Sequence, residues 1–137
     1  MSLVLDSSAT LAWLYPDETT DAIIEVFDRV IHTGAFAPDL WRIEVANSLT
    51  VAVRRSRITA MERSDSLSDL ADLNISTDDE TGKHIWSGTL ILADLHRLTV
   101  YDAIYLELAL RLSLPLATLD EDLRKAAFSE NISLLGK

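Results

Sequence analysis

Four acidic residues have positions at which their side chains could do chemistry. Asp6 and Asp120 each follow a short apolar run with branched residues, which is typical of a buried strand. Glu44 lies within a long predicted helix, and Asp102 stands three residues after Thr99 at the start of another helix. Carboxylates that are gathered at one point raise each other's pKa unless a cation lies among them. A cluster of these four acids would therefore indicate a metal site.

The ligands that these acids offer are all oxygen atoms. Oxygen ligands select Mg²⁺ or Mn²⁺ over zinc, and such ions usually keep several of their waters. A water on a divalent ion loses its proton more easily, and the ion neutralises charge that develops at phosphorus during in-line hydrolysis. If the four carboxylates converge, the sequence predicts the chemistry of a metal-dependent nuclease.

Each acid also has an explanation that involves no chemistry. Asp6 and Asp120 precede helices, so both could be N-caps, and Asp102 stands where the acid of a capping box stands. Glu44 could lie on a solvated helix face or form an ion pair with nearby Arg42. Convergence of the four side chains is what separates the two explanations.

The composition indicates one domain without a membrane segment. The chain has 137 residues, of which 48% are hydrophobic and 25% charged, as in an ordinary packed globule. The absence of cysteine excludes thiol nucleophiles and Cys-ligated zinc, and it fits a reducing cytoplasm. No apolar run approaches the roughly 20 residues of a membrane span, and the start of the chain lacks the basic region of a signal peptide. We therefore expect a soluble cytoplasmic protein.

The charge of the chain restricts how it could meet a nucleic acid. The 22 acidic and 12 basic residues give a formal net charge of −10, which repels polyanions over most of the surface. Contact with RNA would need a metal ion and a local basic stretch, for which Arg54, Arg55 and Arg57 are the best candidates. Arginines at the end of a helix also compensate the helix dipole, which is the alternative explanation.

Strands and helices alternate along the chain. We predict strands at residues 2–6, 35–37, 74–77, 116–120 and 132–135, and helices at 7–15, 20–31, 38–57, 59–73, 80–98, 103–112 and 121–128. This order predicts an α/β sandwich around a mostly parallel sheet. The carboxyl ends of parallel strands share one edge, so Asp6 and Asp120 are expected to lie at the same edge.

Three stretches, in their order and spacing, carry a resemblance to a known family. They are LVLDSSATLAWLYPDE, APDLWRIEVANSL and LTVYDAIYLELALRLSLPLATLDEDLRKAA. The chain thereby resembles the PIN domain family, in particular the VapC-type toxin ribonucleases of type II toxin–antitoxin pairs. The resemblance covers essentially the whole chain and implies a single domain over residues 1–137, with a PIN-like three-layer α/β/α sandwich.

The resemblance also implies roles for the four acids. Asp6 and Asp102 would be the principal metal ligands, and Glu44 would be a ligand or the base for the attacking water. Asp120 would act through a water or on a second ion. Together these four residues would be both the catalytic residues and the metal ligands.

Other polar residues match the family pattern around those acids. Ser8, Asn47 and Thr118 would support the carboxylates from behind. Asp122 is a possible further carboxylate, although its place in a first helical turn also suits the helix dipole. The pair Asp17-Glu18 matches a common acidic pair, for which turn formation beside a proline is the default role.

The activity and partners implied by the resemblance are those of a toxin. The protein would be an endoribonuclease that uses Mg²⁺ or Mn²⁺ and a metal-activated water, with no covalent intermediate. Family members usually form homodimers and are inhibited by a VapB-type antitoxin whose tail covers the acidic pocket. An apolar groove with Trp13, Leu14 and Trp41 would suit such a tail, although core packing also explains the tryptophans. The alternative is a PIN-like protein-binding module that cleaves RNA weakly or not at all.

Several other classes of enzyme lack their defining residues here. A haloacid-dehalogenase-type phosphatase needs an aspartate where this chain has Ser8. The P-loop pattern G-x-x-x-x-G-K-[ST] is absent. The histidines His32, His84 and His96 fall in predicted helices without a partner pattern, so they do not indicate Ser–His catalysis.

Overall fold

The computed structural model describes residues 1–137 and contains five strands and eight α-helices. The strands are β1 Val4–Leu5, β2 Ala35–Pro38, β3 Ile75–Asp78, β4 Leu116–Ala117 and β5 Leu134–Leu135. The helices are α1 Ser7–Leu14, α2 Asp21–Thr33, α3 Asp39–Arg54, α4 Ala60–Ala71, α5 Thr81–His84, α6 Gly88–His96, α7 Val100–Leu112 and α8 Glu121–Ser129. One turn of 3-10 helix spans Pro16–Glu18.

All five strands belong to one parallel sheet. Their order is β3-β2-β1-β4-β5, and Val4 of the central strand pairs with Phe36 on one side and Leu116 on the other. Val4 and Leu5 are adjacent, point to opposite faces of the sheet and are both fully buried. Helices therefore cover both faces, which confirms the predicted α/β/α sandwich with a parallel sheet.

The core is built around β1, β4 and α7. Seven consecutive residues of α7, from Ala103 to Ala109, are buried. A helix buried on all sides along this length packs inside the molecule rather than on its surface. α7 packs against β1 and β4, and the charges of Asp6 and Asp120, which follow those strands, act on Asp102 in its first turn. None of the eight helices combines the length with the apolar composition needed to cross a membrane.

Helix ends follow the local sequence at most positions. Thr59 and Glu62 form the predicted capping box, with each side chain accepting a hydrogen bond from the other residue's backbone N–H. The predicted helix over residues 38–57 ends at Arg54, because the chain reverses through Ser56 in a left-handed conformation with φ 58°. The helix predicted from Ala103 begins earlier, at Val100.

The single helix predicted over residues 80–98 is wrong. The structure has two helices there, α5 and α6, separated by residues 85–87. Ser87 has φ −130° and ψ −100°, which are not helical angles. Gly82 and Gly88 lie on either side of the break, and glycine disfavours a helix interior by about 1 kcal/mol relative to alanine. The apolar spacing of this segment therefore did not outweigh its two glycines.

Candidate active site

Asp6 stands directly after β1, at the carboxyl edge of the sheet. Its carboxylate is buried, and its Oδ2 accepts hydrogen bonds from Ser8 Oγ and Thr118 Oγ1, each at 2.6 Å. Burial raises the pKa of Asp6, the hydroxyl hydrogen bonds counter part of that effect, and the charge of Asp120 adds to it. The carboxylate makes no capping hydrogen bond to α1. Asp6 is thus the N-cap residue of α1 by its backbone, as predicted, but capping does not account for its side chain, which is held by Ser8 and Thr118.

Ser8 and Thr118 connect the ends of β1 and β4. Ser8 Oγ accepts a hydrogen bond from the Leu119 N–H at 2.9 Å, and Thr118 Oγ1 accepts one from the Asp120 N–H at 3.1 Å. Both hydroxyl groups are thus held by backbone donors while they donate to Asp6. The structure brings these two predicted residues together behind the Asp6 carboxylate.

Glu44 approaches Asp6 from α3. Its Oε1 accepts a hydrogen bond from the Tyr105 hydroxyl at 2.6 Å and one from Ser7 Oγ at 3.3 Å. Burial raises the pKa of Glu44 and the charge of Asp6 raises it further, against the two hydrogen bonds. Arg42 forms no salt bridge with Glu44. The alternative of a local ion pair is therefore wrong.

Asp102 stands in a capping-box position but closes only half of the box. Thr99 Oγ1 accepts a hydrogen bond from the Asp102 N–H at 3.1 Å, whereas the Asp102 carboxylate does not return one to Thr99. Burial raises the pKa of Asp102 to about 6, together with the negative charges of Asp120, Asp6, Glu44 and Asp122, in that order. The negative charges of the other three predicted acids therefore all act on the Asp102 side chain.

The two oxygens of the Asp120 carboxylate have different surroundings. Its Oδ1 caps α8 by accepting a hydrogen bond from the Leu123 N–H at 2.9 Å, so the N-cap explanation holds for this oxygen. Its Oδ2 accepts no hydrogen bond from the protein, and its charge raises the pKa values of Asp6 and Asp102. Asp122, in the first turn of α8, is exposed and contributes the smallest of the charges acting on Asp102.

These four acids fit a divalent cation in their chemistry. All of the donor atoms are carboxylate oxygens, and none of the four residues forms a salt bridge with lysine or arginine. No three acidic or histidine side chains stand close enough to hold one ion by direct contact. Magnesium is typically held by one or two carboxylates while its other ligands are waters, so wider spacing suits it. The set of four carboxylates Asp6, Glu44, Asp102 and Asp120 is named here the acidic pocket.

The remaining predicted residues lie at different distances from the acidic pocket. Asn47 is exposed and forms no hydrogen bond with any of the four carboxylates, so the structure does not place it behind them. It lines a cavity of about 560 Å³ that extends from Ser8 and Asp120 to Arg55 and Arg57. This cavity, the side groove, runs between α1 and the second half of α3.

The three arginines of the basic stretch have different surroundings. Arg57 forms salt bridges with Glu18 at 2.7 Å and Asp17 at 3.2 Å, and its guanidinium lies 3.8 Å from the centre of the Tyr15 ring. The acidic pair whose role the sequence left open therefore holds Arg57. Arg54 and Arg55, at the end of α3, are exposed and form no salt bridge.

The tryptophans expected in one apolar groove lie apart: Trp41 lines an apolar cavity of about 240 Å³ between α3 and α4, and Trp13 packs elsewhere. Trp41 is 7% exposed, and its Nε1 donates a hydrogen bond to Thr10 Oγ1 at 2.9 Å. Trp13 stacks on Phe27 with the ring centres 4.2 Å apart. Packing therefore accounts for much of both indoles, and the predicted groove shared by Trp13, Leu14 and Trp41 is wrong, since only Trp41 lines that apolar cavity.

Sequence reasoning missed two hydroxyl groups of the site. Tyr105 and Ser7 both donate to Glu44 Oε1, and Ser7 Oγ also lies 3.4 Å from Asp6 Oδ1. A tyrosine inside the apolar run of α7 needs a partner for its buried hydroxyl, and this was the signal available in the sequence. Which partner it finds depends on the approach of α3, which is remote in sequence.

The sequence of the chain matches one protein family and is similar to a ribonuclease. The model of the family described as "PIN domain" matches residues 3–129. Ribonuclease VapC3 of Pyrobaculum aerophilum is 32% identical over 125 residues, which make up 90% of this chain and 92% of that protein.

Two solved structures have the same fold. The crystal structure of PAE2754 from Pyrobaculum aerophilum matches 92% of this chain and 84% of its own, with a TM-score of 0.68 and 22% identity. That of FitAcB from Neisseria gonorrhoeae matches 98% of this chain and 96% of its own, with a TM-score of 0.67 and 17% identity. Given the family match over nearly its whole length, the chain belongs to the PIN domain family.

Proposed function

We propose that this protein is an endoribonuclease that hydrolyses RNA phosphodiesters with Mg²⁺ or Mn²⁺, and that it is the toxin of a VapBC-type toxin–antitoxin pair. The observation that supports the proposal is the acidic pocket, in which carboxylates from four parts of the chain lie near enough for the charges of three of them to raise the pKa of Asp102, and in which no lysine or arginine pairs with any of them. The similarity to Ribonuclease VapC3 supports RNA as the substrate.

The hydrogen bonds of the pocket suggest which oxygen atoms would hold the ion. Asp102 has no hydrogen bond to its carboxylate, and one oxygen each of Glu44 and Asp120 is also without a protein donor. Asp6 and Asp102 would be the principal ligands, with Glu44 and Asp120 contributing directly or through water. A divalent ion bound there would neutralise charge at the phosphate and lower the pKa of a water.

The protein's own groups would orient the reactants. Ser8 and Thr118 fix the Asp6 carboxylate, since both hydroxyl groups are themselves held by backbone N–H donors. Glu44 Oε2 would accept the proton of the attacking water, because Oε1 is already engaged by two hydroxyl groups. No side chain of the pocket needs to form a covalent bond with the substrate.

The side groove is the proposed path of the RNA strand beyond the acidic pocket. It begins at Asp120 and ends at Arg55, so a chain of phosphates that enters it would leave the negative pocket toward a cation. Arg54 and Arg55 are free of carboxylate partners, whereas Arg57 contacts RNA only if Asp17 and Glu18 release it. Asn47 would contribute a polar contact within the groove.

Partners and location follow from the family resemblance. We propose a homodimer, inhibited by a VapB-type antitoxin that covers the acidic pocket, and acting on RNA in the cytoplasm. Size-exclusion chromatography with light scattering tests the homodimer, and co-expression with the candidate antitoxin tests inhibition.

RNA cleavage by purified protein tests the proposed activity. A labelled RNA is incubated with Mn²⁺, with and without a chelator, using the wild type, Asp6→Asn and the matched surface control Asp65→Asn. We expect cleavage by the wild type and the control in Mn²⁺ alone. Asp6→Asn should lose about 100-fold or more, since the ion contributes several kcal/mol to the transition state.

Three results would contradict the proposal. Equal degradation by Asp6→Asn would indicate a contaminant or another site, and cleavage in excess chelator would refute the metal requirement. No cleavage of any RNA by the wild type would favour the alternative, a PIN-like protein-binding module.

A further inference from the structure

The hydrogen bond between Tyr105 and Glu44 joins two helices that supply acids to the pocket. Tyr105 is 0% exposed, and its hydroxyl donates to Glu44 Oε1 at 2.6 Å. It lies on α7 one turn after Asp102, whereas Glu44 lies on α3. The contact therefore fixes the position of Glu44 relative to α7, the helix that carries Asp102.

Tyrosine is suited to fix a flexible carboxylate. Its ring has two side-chain torsions, and here the ring is held by the packed core, so the hydroxyl oxygen has a defined place. Glutamate has three torsions and lies at the border of the core and the pocket. Without a donor of fixed position, the Glu44 carboxylate would sample several rotamers.

The two oxygens of Glu44 have unequal surroundings. Oε1 accepts from both Tyr105 and Ser7, and Oε2 accepts from no protein group. Ser7 is the weaker donor, because its distance is 3.3 Å and its one proton is also within reach of Asp6 Oδ1. Tyr105 is therefore the group that distinguishes the two oxygens.

We propose that Tyr105 is a positioning residue, whose hydroxyl holds Glu44 Oε1 and so leaves Oε2 for a divalent ion or the attacking water. The inference rests on the proposed ribonuclease function for its effect on cleavage. Its effect on cation binding can be measured without RNA. Hydrogen-bond partners of metal ligands commonly change metal affinity or activity by about 10- to 100-fold when they are removed.

The variant Tyr105→Phe keeps the ring in the core and removes only the hydroxyl group. At saturating Mn²⁺ we expect kcat on a labelled RNA to fall about 10- to 100-fold, while KM stays within about twofold. In the absence of RNA, titration of free Mn²⁺ by electron paramagnetic resonance should show affinity weakened by about tenfold. The matched control is Tyr101→Phe, an exposed tyrosine of the same helix.

A double-mutant cycle tests whether Tyr105 acts through Glu44. In a Glu44→Ala background, Tyr105→Phe should cause no further loss of kcat or of Mn²⁺ affinity, because the carboxylate that it positions is gone. An equal loss in both backgrounds would overturn the proposal and leave Tyr105 with a structural role. Wild-type kcat and Mn²⁺ affinity in the single variant would overturn it as well.

The two measurements also separate this inference from the proposed function. If the wild type cleaves no RNA, the proposed function fails, and Mn²⁺ affinity alone decides whether Tyr105 positions Glu44. If Tyr105→Phe does not fold, Ser7→Ala removes the second donor to the same oxygen. We then expect Mn²⁺ affinity to fall by less than about tenfold, and a loss of about tenfold or more would show that Ser7 rather than Tyr105 fixes the Glu44 carboxylate.

Discussion

Two groups of carboxylates include residues of α7, and they differ in whether an arginine neutralises them. Near the end of α7, Arg111 binds Asp78 through two hydrogen bonds, at 2.8 and 3.1 Å, and binds Glu107 at 2.7 Å. Near its start, Asp102 belongs to the acidic pocket, where no arginine or lysine takes part. The first group, Asp78, Glu107 and Arg111, is called the arginine cluster below.

The pKa values of the two groups move apart accordingly. Burial alone would raise the pKa of Asp78, but hydrogen bonds from Arg111 and Thr81 lower it to about 2. Burial and neighbouring carboxylates raise the pKa of Asp102 to about 6, with no cation to oppose them. One helix thus contributes to a cluster that is neutralised internally and to a pocket that needs positive charge from outside.

The fold favours stability at the arginine cluster and function at the acidic pocket. The arginine cluster connects β3, α5 and α7 and has all of its charges bonded, as a structural network requires. The acidic pocket leaves oxygen atoms unbonded and charges unpaired, which lowers stability until a cation binds.

Removing the arginine should have the largest effect on stability. In Arg111→Met two buried carboxylates lose their cation, so the free energy of unfolding should fall by about 3 kcal/mol. Denaturant unfolding measures this change, which corresponds to a melting temperature lower by roughly 10 °C. The control Arg42→Met, an exposed arginine without a salt bridge, should change it by under about 0.5 kcal/mol. A loss below about 1 kcal/mol for Arg111→Met would refute the structural role of the cluster.

A divalent cation should stabilise the folded protein through the acidic pocket only. Mn²⁺ at about 100 times its dissociation constant should add about 2.7 kcal/mol to the free energy of unfolding. Differential scanning fluorimetry should show a higher melting temperature for the wild type and for Arg111→Met, but not for Asp102→Asn. An equal shift in all three proteins would mean that the ion binds elsewhere.

Neutralising Asp102 should stabilise the metal-free protein. The shift from 3.8 to about 6 corresponds to at most about 3 kcal/mol, and solvent screening of the half-buried group reduces this to about 1 kcal/mol. Asp102→Asn should therefore unfold at a higher denaturant concentration than the wild type at neutral pH. Glu62→Gln, at the matching position of α4, keeps a capping box and should change little. A less stable Asp102→Asn would contradict the repulsion described here.

The pH dependence of stability should show the smallest effect. Because folding raises the pKa of Asp102, the folded state takes up its proton first, and stability rises as pH falls from about 7 to about 4. The folded pKa of Asp78 is lowered, so its contribution is present above about pH 4 and is lost as pH falls toward 2. Melting curves without metal, compared with those of Asp102→Asn, isolate the first effect. Parallel curves for the two proteins would contradict it.

Local sequence signals predicted most elements of the fold. Strands 2–6 and 35–37 and the capping box at Thr59 were recognisable because neighbouring residues decide them. The same box pattern at Thr99 and Asp102 is confirmed for Thr99, which caps α7, but not for the Asp102 side chain, which leaves the box open. The break between α5 and α6 was missed because apolar spacing continues across it.

The order of elements and the acids at strand and helix ends can be recognised from the amino-acid sequence. The salt bridges of Arg57 with Asp17 and Glu18, and the hydrogen bond from Tyr105 to Glu44, depend on how the helices pack. The physical reason is distance along the chain: local backbone preferences reach only a few residues, whereas these contacts join residues 39 to 61 positions apart and form only when the helices pack.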